Sequence, residues 1–299
     1  MALNITIRQL KIFQAVARYN GFTRAAEELY LTQPAVSMQV KQLEVQVGLP
    51  LFEQVGKKIF LTEAGREMLH YAKQISGHLS EAEAVFSALK GIQRGSLDIS
   101  VASTANNFGT KLLAAFSREH PSVTIKLDVT NRETLLKQLA DNEKDLVIMG
   151  KPPENSELEA TPFLDNPLVV IAPSNHPWVK EKKIDPERLR DRTFVVRERG
   201  SGTRMLMERF FESHDIPFEP GMEMTSNEAI KQAVEAGLGL AVVSIHTLAL
   251  ELETARLAML DVIDFPIMRH WYVVHPRSKR LSPVAQAFRE FVLTHASDI

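Results

Sequence analysis

The amino-terminal segment, residues 6 to 47, has a helical spacing of apolar residues that divides into three short runs. Apolar residues three and four positions apart lie on one face of a helix. They are Leu10, Phe13, Val16 and Ala17 in the first run, Ala25, Ala26 and Leu29 in the second, and Val36, Val40, Leu43 and Val47 in the third. Beyond Gly48, residues 51 to 62 predict a β-hairpin with Val55 to Lys58 at its tip. Residues 1 to 62 are therefore predicted to form three helices and a hairpin around one small core.

The second and third helices are joined by a tight turn, which is the arrangement of a helix-turn-helix. Because the apolar residues of the third helix point inward, its outward face carries Gln33, Pro34, Ser37, Met38 and Lys41. An amide side chain such as that of Gln33 can pair with base edges, and a lysine suits a phosphate or a guanine. The pattern predicts a DNA-reading helix, with an ordinary αα-hairpin and a solvated face as the alternative.

Residues 63 to 91 predict one long helix with a narrow apolar seam. No proline interrupts residues 63 to 89, and apolar residues alternate in steps of four and three, which is an a/d heptad pattern. The predicted dimerisation seam consists of Met68, Ala72, Ile75, Leu79, Ala82, Phe86 and Leu89. The alternative is an amphipathic helix lying on its own domain. The following segment, residues 90 to 96, is predicted to be a hinge.

Residues 92 to 299 alternate strand-like and helical segments, which predicts two α/β lobes. The βαβαβ order up to residue 149 implies a mostly parallel sheet. We expect lobe I to comprise about 92 to 162 and 268 to 299, and lobe II about 163 to 267. The expected fold class is a multidomain α+β chain that ends in a two-lobed α/β domain.

Several predicted helices of this domain start with small polar residues directly after a strand. Free backbone N–H groups and the helix dipole favour anions at such positions. The strongest candidate is the segment from Arg197 to Arg204, where glycines allow close approach and arginines can pair with a carboxylate or phosphate. Simple helix capping is the alternative at each position. The candidate ligand-binding residues are Ser103, Thr104, Thr130, Arg199, Ser201, Gly202, Thr203, Arg204 and Asn227.

Composition narrows the class of protein. The chain has no cysteine, which excludes disulfides, thiolate metal sites and a cysteine nucleophile. Residues 1 to 95 carry 11 basic and 8 acidic side chains, and the remainder carries 24 and 29, so a net charge of +3 is followed by one of −5. A basic head suits a polyanion partner. No signal peptide or membrane span is recognisable, which predicts a cytoplasmic protein without a membrane partner.

The segments Gly21 to Glu44, Gly48-Leu49-Pro50-Leu51-Phe52-Glu53 and Leu61-Thr62-Glu63-Ala64-Gly65 together closely resemble the DNA-binding domain of LysR-type transcriptional regulators. The resemblance implies a winged helix-turn-helix on a double-stranded operator, with Lys57 and Lys58 in the wing. It also implies a homodimer or homotetramer, a periplasmic-binding-protein-like effector domain, and contact with RNA polymerase. Met38 departs from the family, because many relatives carry arginine there. The implied DNA contacts are Thr23, Arg24, Thr32, Gln33, Pro34, Ser37, Met38, Lys41, Lys57 and Lys58.

A narrower resemblance comes from Leu146 to Pro153 and Arg199 to Arg204, which look like the CbbR-type regulators of Calvin-cycle operons. This resemblance implies an activator of carbon-fixation genes that responds to a carboxylate or phosphorylated metabolite. It favours Lys151, Arg199 and Arg204 as phosphate partners. No cofactor, metal site or catalytic residue is expected. The alternatives are a solute-binding or transport-accessory protein whose first helices mediate assembly, and an enzyme on a binding-protein-like body.

Overall fold

A computed structural model describes residues 4–56, 58–89 and 95–296. The chain forms two compact units, each described here by itself. The first runs to Phe86 and includes Ala140–Glu143, and the second contains Ser87–Leu139 and the chain from Lys144 onward. Across the described ranges, no helix has the length and hydropathy that a bilayer crossing requires.

The first unit is a winged helix-turn-helix, as predicted. Its elements are α1 (Ile7–Tyr19), α2 (Phe22–Glu28), α3 (Gln33–Val47), β1 (Phe52–Val55), β2 (Lys58–Leu61) and α4 (Glu63–Leu89). Strands β1 and β2 pair antiparallel, with Val55 opposite Lys58 at the tip. Phe13 of α1 is fully buried, and its ring centroid lies 5.2 Å from that of Phe52 in the hairpin. The hairpin and the helices therefore share one core.

Local sequence signals set the ends of these helices. Thr6 and Gln9 form a capping box before α1, in which each side chain accepts a hydrogen bond from the other residue's backbone N–H. Gly48 ends α3 in the left-handed region, with φ of +77°, where glycine carries no steric penalty. At Gly65 a Cβ would lie 2.0 Å from the carbonyl oxygen of Leu51, so only glycine lets α4 start against the hairpin.

The first part of the long helix α4 is packed against the first unit, and its second part is more exposed. Ala72 is fully buried and Met68 packs against the same core of the first unit, so the alternative of a helix lying on its own domain is correct for this part. Further along, Ile75 is 43% exposed and Phe86 is 62% exposed. The dimer seam stays a prediction for this second part. Leu79 is half-buried, Ala82 is exposed, and the side chain of Leu89 lies outside the described residues.

The second unit contains both lobes. Its elements are β3 (Gly95–Ala102), α5 (Asn106–Glu119), β4 (Val123–Thr130), α6 (Arg132–Ala140), β5 (Leu146–Met149), β6 (Leu158–Asp165), β7 (Leu168–Pro173), β8 (Val195–Arg197), α7 (Gly202–Ser213), β9 (Met222–Met224), α8 (Asn227–Glu235), β10 (Ala241–Ser244), α9 (Ala249–Glu253), β11 (Leu257–Leu260), β12 (His270–Pro276) and α10 (Pro283–His295).

Lobe I is a five-stranded sheet in the order β4-β3-β5-β12-β6. The three strands of the βαβαβ segment are parallel, as predicted, but β12 pairs antiparallel with both β5 and β6. Four of the five strands therefore run in the same direction, and β12 alone departs from the expected mostly parallel sheet. The cause is that β12 returns from lobe II after a long excursion of the chain and enters the sheet from the opposite end. The core of this lobe lies between the sheet and helices α5 and α10.

Lobe II is built around an antiparallel sheet in the order β10-β7-β11, with β8 and β9 as a separate parallel pair. Two crossover segments join the lobes, residues 166–167 and 266–269. They lie side by side, because the N–H of Asn166 donates to the carbonyl of Arg269 at 2.7 Å. The hydroxyl of Ser244 donates to the side-chain oxygen of Asn166, also at 2.7 Å, in a buried position. Residues on these crossovers are therefore fixed at the boundary between the lobes.

Candidate DNA-binding face and effector pocket

The outward face of α3 is arranged as the periodicity predicted. Val36, Val40 and Leu43 are buried, Ser37 is half-buried, and the other predicted contacts on this face are exposed. Those exposed residues are Gln33, Pro34, Met38 and Lys41, together with Thr32 at the helix start and Thr23 and Arg24 on α2.

Three cations of the helix-turn-helix and the wing have no acidic partner among the described residues. Within the described ranges, Arg24, Lys41 and Lys58 form no ion pair, and all three are exposed. Unpaired lysine and arginine side chains are what a phosphate backbone attracts. Lys58 starts β2 in the wing, whereas Lys57, the other predicted wing residue, lies outside the described residues.

A pocket between the lobes, called here the inner pocket, collects residues from several strand ends and helix starts. Lobe I contributes residues that follow β3, β4 and β5, and lobe II contributes the end of β8 and the start of α7. The residues that line it are Ala102, Ser103, Thr104, Thr130, Asn131, Arg132, Met149, Gly150, Arg197, Ser201, Gly202, Thr203, Arg269 and Trp271. Of the predicted ligand residues, the hydroxyl-bearing Ser103, Thr104, Thr130, Ser201 and Thr203 and the glycine Gly202 meet here.

Two arginines of the inner pocket carry no acidic partner among the residues that the structure describes. Arg132 donates to the carbonyl of Lys151 at 2.7 Å, and the side chain of Arg269 makes no hydrogen bond or ion pair. Burial, and then the charge of Arg132, lower the pKa of Arg269 to about 10. Burial, and then the charge of Arg209, lower the pKa of Arg132. Two desolvated cations side by side favour an anion between them.

Gly150 makes room for one of these cations. A Cβ on Gly150 would lie 2.0 Å from a terminal nitrogen of the Arg269 guanidinium. Any larger residue would displace the guanidinium from this position. The absence of a side chain at Gly150, directly after β5, therefore allows the Arg269 guanidinium to occupy its position in the pocket.

A third arginine, Arg197, is neutralised by protein groups. It is buried and pairs with Glu198 through two hydrogen bonds of 2.8 and 2.9 Å. It also donates to the amide oxygen of Asn227 at 2.9 Å and, across the cleft, to the hydroxyl of Ser103 at 3.0 Å. Arg197 therefore connects the two lobes and positions Ser103. Asn227 accepts a hydrogen bond from this arginine and does not line the pocket.

Two predicted phosphate partners lie elsewhere, which corrects the sequence-based assignment. Arg204 is 7% exposed and pairs with Glu208 at 2.7 Å and with Glu223, so its charge is already balanced. Lys151 is exposed and pairs with Glu154 at 2.7 Å. Both side chains are satisfied by carboxylates that the sequence pattern did not reveal as partners.

Arg199 lies in a second cavity, called here the outer pocket, on the other side of Arg132. Its volume is about 510 Å³, against about 30 Å³ for the inner pocket. The inner pocket in this arrangement offers only a small volume, so a bound metabolite requires the lobes or side chains to move. The outer pocket is lined by Arg132, Glu133, Leu136, Arg199, Gly200, Ser201, Arg204, Met205 and Glu208.

The sequence interpretation missed the unpaired arginines. Arg132 follows β4 directly and starts α6, so the strand-end rule that selected Thr130 could have included it. Arg269 had no signal of this kind, because it reaches the pocket from the second crossover segment. Trp271, near the start of β12, was also missed, because the strand-end rule considers the ends of strands; its indole Nε1 is buried without a hydrogen-bond partner among the described residues.

Comparison with known proteins agrees with this architecture. The family model of the bacterial regulatory helix-turn-helix protein, lysR family, matches residues 7–66, and that of the LysR substrate binding domain matches residues 90–297. A RuBisCO operon transcriptional regulator from Allochromatium vinosum is 58% identical over 295 residues, which cover 99% of this chain and 98% of that relative. The HTH-type transcriptional activator CmpR of a Synechocystis strain is 47% identical over 292 residues, covering 98% and 96%.

Among solved structures, the Synechocystis CcmR regulatory domain in complex with 2-PG is 40% identical, with a TM-score of 0.66, and covers 69% of this chain and 99% of that one. The relatives named for the RuBisCO operon also confirm the narrower resemblance to CbbR-type regulators. Both family models and the full-length relatives describe regulators that bind DNA, and none of them describes an enzyme. The chain therefore belongs to the LysR family of DNA-binding transcriptional regulators.

Proposed function

We propose that this protein activates carbon-fixation genes in response to a small phosphorylated or carboxylated metabolite bound in the inner pocket. The observation that carries the proposal is the pair of unpaired guanidiniums of Arg132 and Arg269, surrounded by hydroxyl groups from both lobes. Guanidinium groups form paired hydrogen bonds with phosphate and carboxylate. The relatives support both parts, since they include a RuBisCO operon regulator, an activator, and a regulatory domain in complex with 2-PG.

The position of Arg269 suggests how ligand binding affects the lobes. Arg269 lies on a crossover segment, whereas Arg132 belongs to lobe I, and Ser201 and Thr203 belong to lobe II. An anion that contacts all of them favours an arrangement in which both lobes reach it over one in which the lobes are farther apart. Because a ligand shifts an equilibrium only through its different affinity for two states, this difference is what would change the regulator's activity.

The remaining parts of the proposal follow the family. The protein would act in the cytoplasm as a homodimer or homotetramer, with the exposed part of α4 in the dimer seam, and would bring RNA polymerase to the promoter. It would need no cofactor beyond its effector.

The proposal is tested with the full chain on promoter DNA taken upstream of RuBisCO genes, in a footprinting titration with and without 2-PG. We expect specific protection that 2-PG changes in extent or affinity. Specific protection that 2-PG and other small phosphorylated or carboxylated metabolites leave unaltered would contradict the effector assignment. Binding to random duplexes with equal affinity would contradict the gene assignment.

A further inference from the structure

Met38 is an exposed apolar side chain between polar and charged residues, Gln33 and Ser37 before it and Lys41 and Gln42 after it. It is 54% exposed and is the sixth residue of α3, one turn before Lys41 and Gln42. A groove of about 320 Å³ beside it is lined by Met38, Lys41, Gln42, Val45 and Gln46, all from α3 itself. Within the part of the chain that the structure describes, no other element covers Met38.

Isolated exposed apolar residues are common on proteins and need no explanation by themselves. Met38 differs because of where it lies. Residues near the amino-terminal end of a recognition helix contact base edges in the major groove. Gln33 and Pro34 precede it on the same exposed face, and Lys41 follows with a free charge for the phosphate backbone or guanine.

The base edges of the major groove offer hydrogen-bond donors, hydrogen-bond acceptors and one apolar group, the C5-methyl of thymine. A methionine has no strong donor or acceptor, so it cannot read a hydrogen-bonding pattern. Its unbranched and flexible side chain adapts well to an apolar neighbour. We propose that Met38 determines part of the operator specificity by packing against a thymine methyl group in each half-site.

The proposal rests on the DNA-binding function and can fail independently of it. Removing one methyl contact should weaken binding about fourfold, from the transfer free energy of one methylene-sized group. A symmetric dimer repeats the contact in both half-sites, so removing both methyls should weaken binding about 15-fold.

The experiment uses operators selected from randomised duplexes by the full-length protein. Each thymine of a half-site is then replaced by deoxyuridine, which lacks the methyl group and keeps the same hydrogen-bonding atoms. We expect wild type to lose about fourfold in affinity at one thymine position in each half-site. Met38→Ala should bind thymine and deoxyuridine equally at that position, and Met38→Leu should keep a preference for thymine.

Val45→Ala provides the matched control, because Val45 is exposed on the same helix two turns further along. Val45→Ala should lose as much affinity as wild type when deoxyuridine replaces that thymine. The proposal is overturned if wild type tolerates deoxyuridine at every position, or if Met38→Ala retains the penalty. It is also overturned if Met38→Ala changes the oligomeric state and leaves the thymine preference intact. Failure of wild type to bind any duplex would instead contradict the DNA-binding function.

Discussion

Arg269 is half-buried in the inner pocket and Arg204 is buried beside the outer pocket, and the structure predicts opposite effects when each is replaced by methionine. Burial, and then the charge of Arg132, lower the pKa of Arg269 well below its ordinary value, to about 10. Arginine is charged in the folded and unfolded chain at neutral pH, so this lowered pKa is a penalty on the folded state. The penalty amounts to about 3 kcal/mol, persists up to about pH 10, and shrinks as pH rises from there toward the pKa of the unfolded chain.

Arg269→Met should therefore raise the free energy of unfolding of the unliganded protein, by up to about 3 kcal/mol. It should also weaken binding of 2-PG about 10- to 150-fold, since a hydrogen bond to a charged group contributes about 1.5–3 kcal/mol. Arg204→Met should do the reverse. It leaves Glu208 and Glu223 without their partner and should destabilise the chain by about 1–3 kcal/mol, with little change in 2-PG affinity.

Intrinsic tryptophan fluorescence measures both quantities, because the chain has two tryptophans and both, Trp178 and Trp271, lie in the second unit. Urea unfolding of the full chain followed at these two residues reports the stability of that unit with and without 2-PG. The reasoning is refuted if Arg269→Met destabilises the unliganded protein, or if 2-PG stabilises this variant as much as wild type.

Four further changes have defined outcomes. Gly150→Ala should weaken 2-PG binding in calorimetry by no more than the 10- to 150-fold expected for Arg269→Met, because its Cβ would lie 2.0 Å from the Arg269 guanidinium and displace it; unchanged binding would contradict the cation's role. Lys58→Ala should reduce the slope of log K against log salt by about 2 for a dimer, as measured by fluorescence anisotropy across a salt series, whereas an equal slope would remove Lys58 from the phosphate contacts. Gln33→Ala should lower discrimination against one base substitution by about 1–3 kcal/mol in competition gel shifts, and unaltered discrimination would argue against base reading. Phe86→Asp should weaken self-association in sedimentation experiments, since Phe86 is 62% exposed on the predicted seam; unchanged association would place the dimer contact elsewhere.

The first unit could be predicted almost completely from the sequence, because its elements are short and local. The helical repeat alone predicts that Val36, Val40 and Leu43 are buried. It also predicts that Gln33 and Met38 lie on the opposite, exposed face, and the structure agrees. The same periodicity could not show which seam residues of α4 are buried in the first unit and which are exposed. Ala72 and Ile75 occupy equivalent seam positions in the sequence, and only the packing of the winged domain shows that one is buried and the other exposed.

The effector pocket could be predicted only in part. Strand ends and helix starts located Ser103, Thr130 and Ser201 correctly, because that rule depends on local chain direction. Charge pairing is a long-range property. Arg204 pairs with Glu223, nineteen residues away, whereas Arg269 finds no carboxylate at all among the described residues. A sequence shows which arginines exist but not which of them remain without an acidic partner in the cleft, and the proposal of an anionic ligand depends on those arginines.

The central claim is that an anion held by Arg269 controls how this regulator binds DNA. Footprinting of wild type and Arg269→Met on the same promoter, each titrated with 2-PG, measures this directly. We predict that both proteins protect the operator and that the footprint of Arg269→Met changes only at 2-PG concentrations about 10- to 150-fold higher than those that change the footprint of wild type. An identical 2-PG effect on both proteins would contradict the claim.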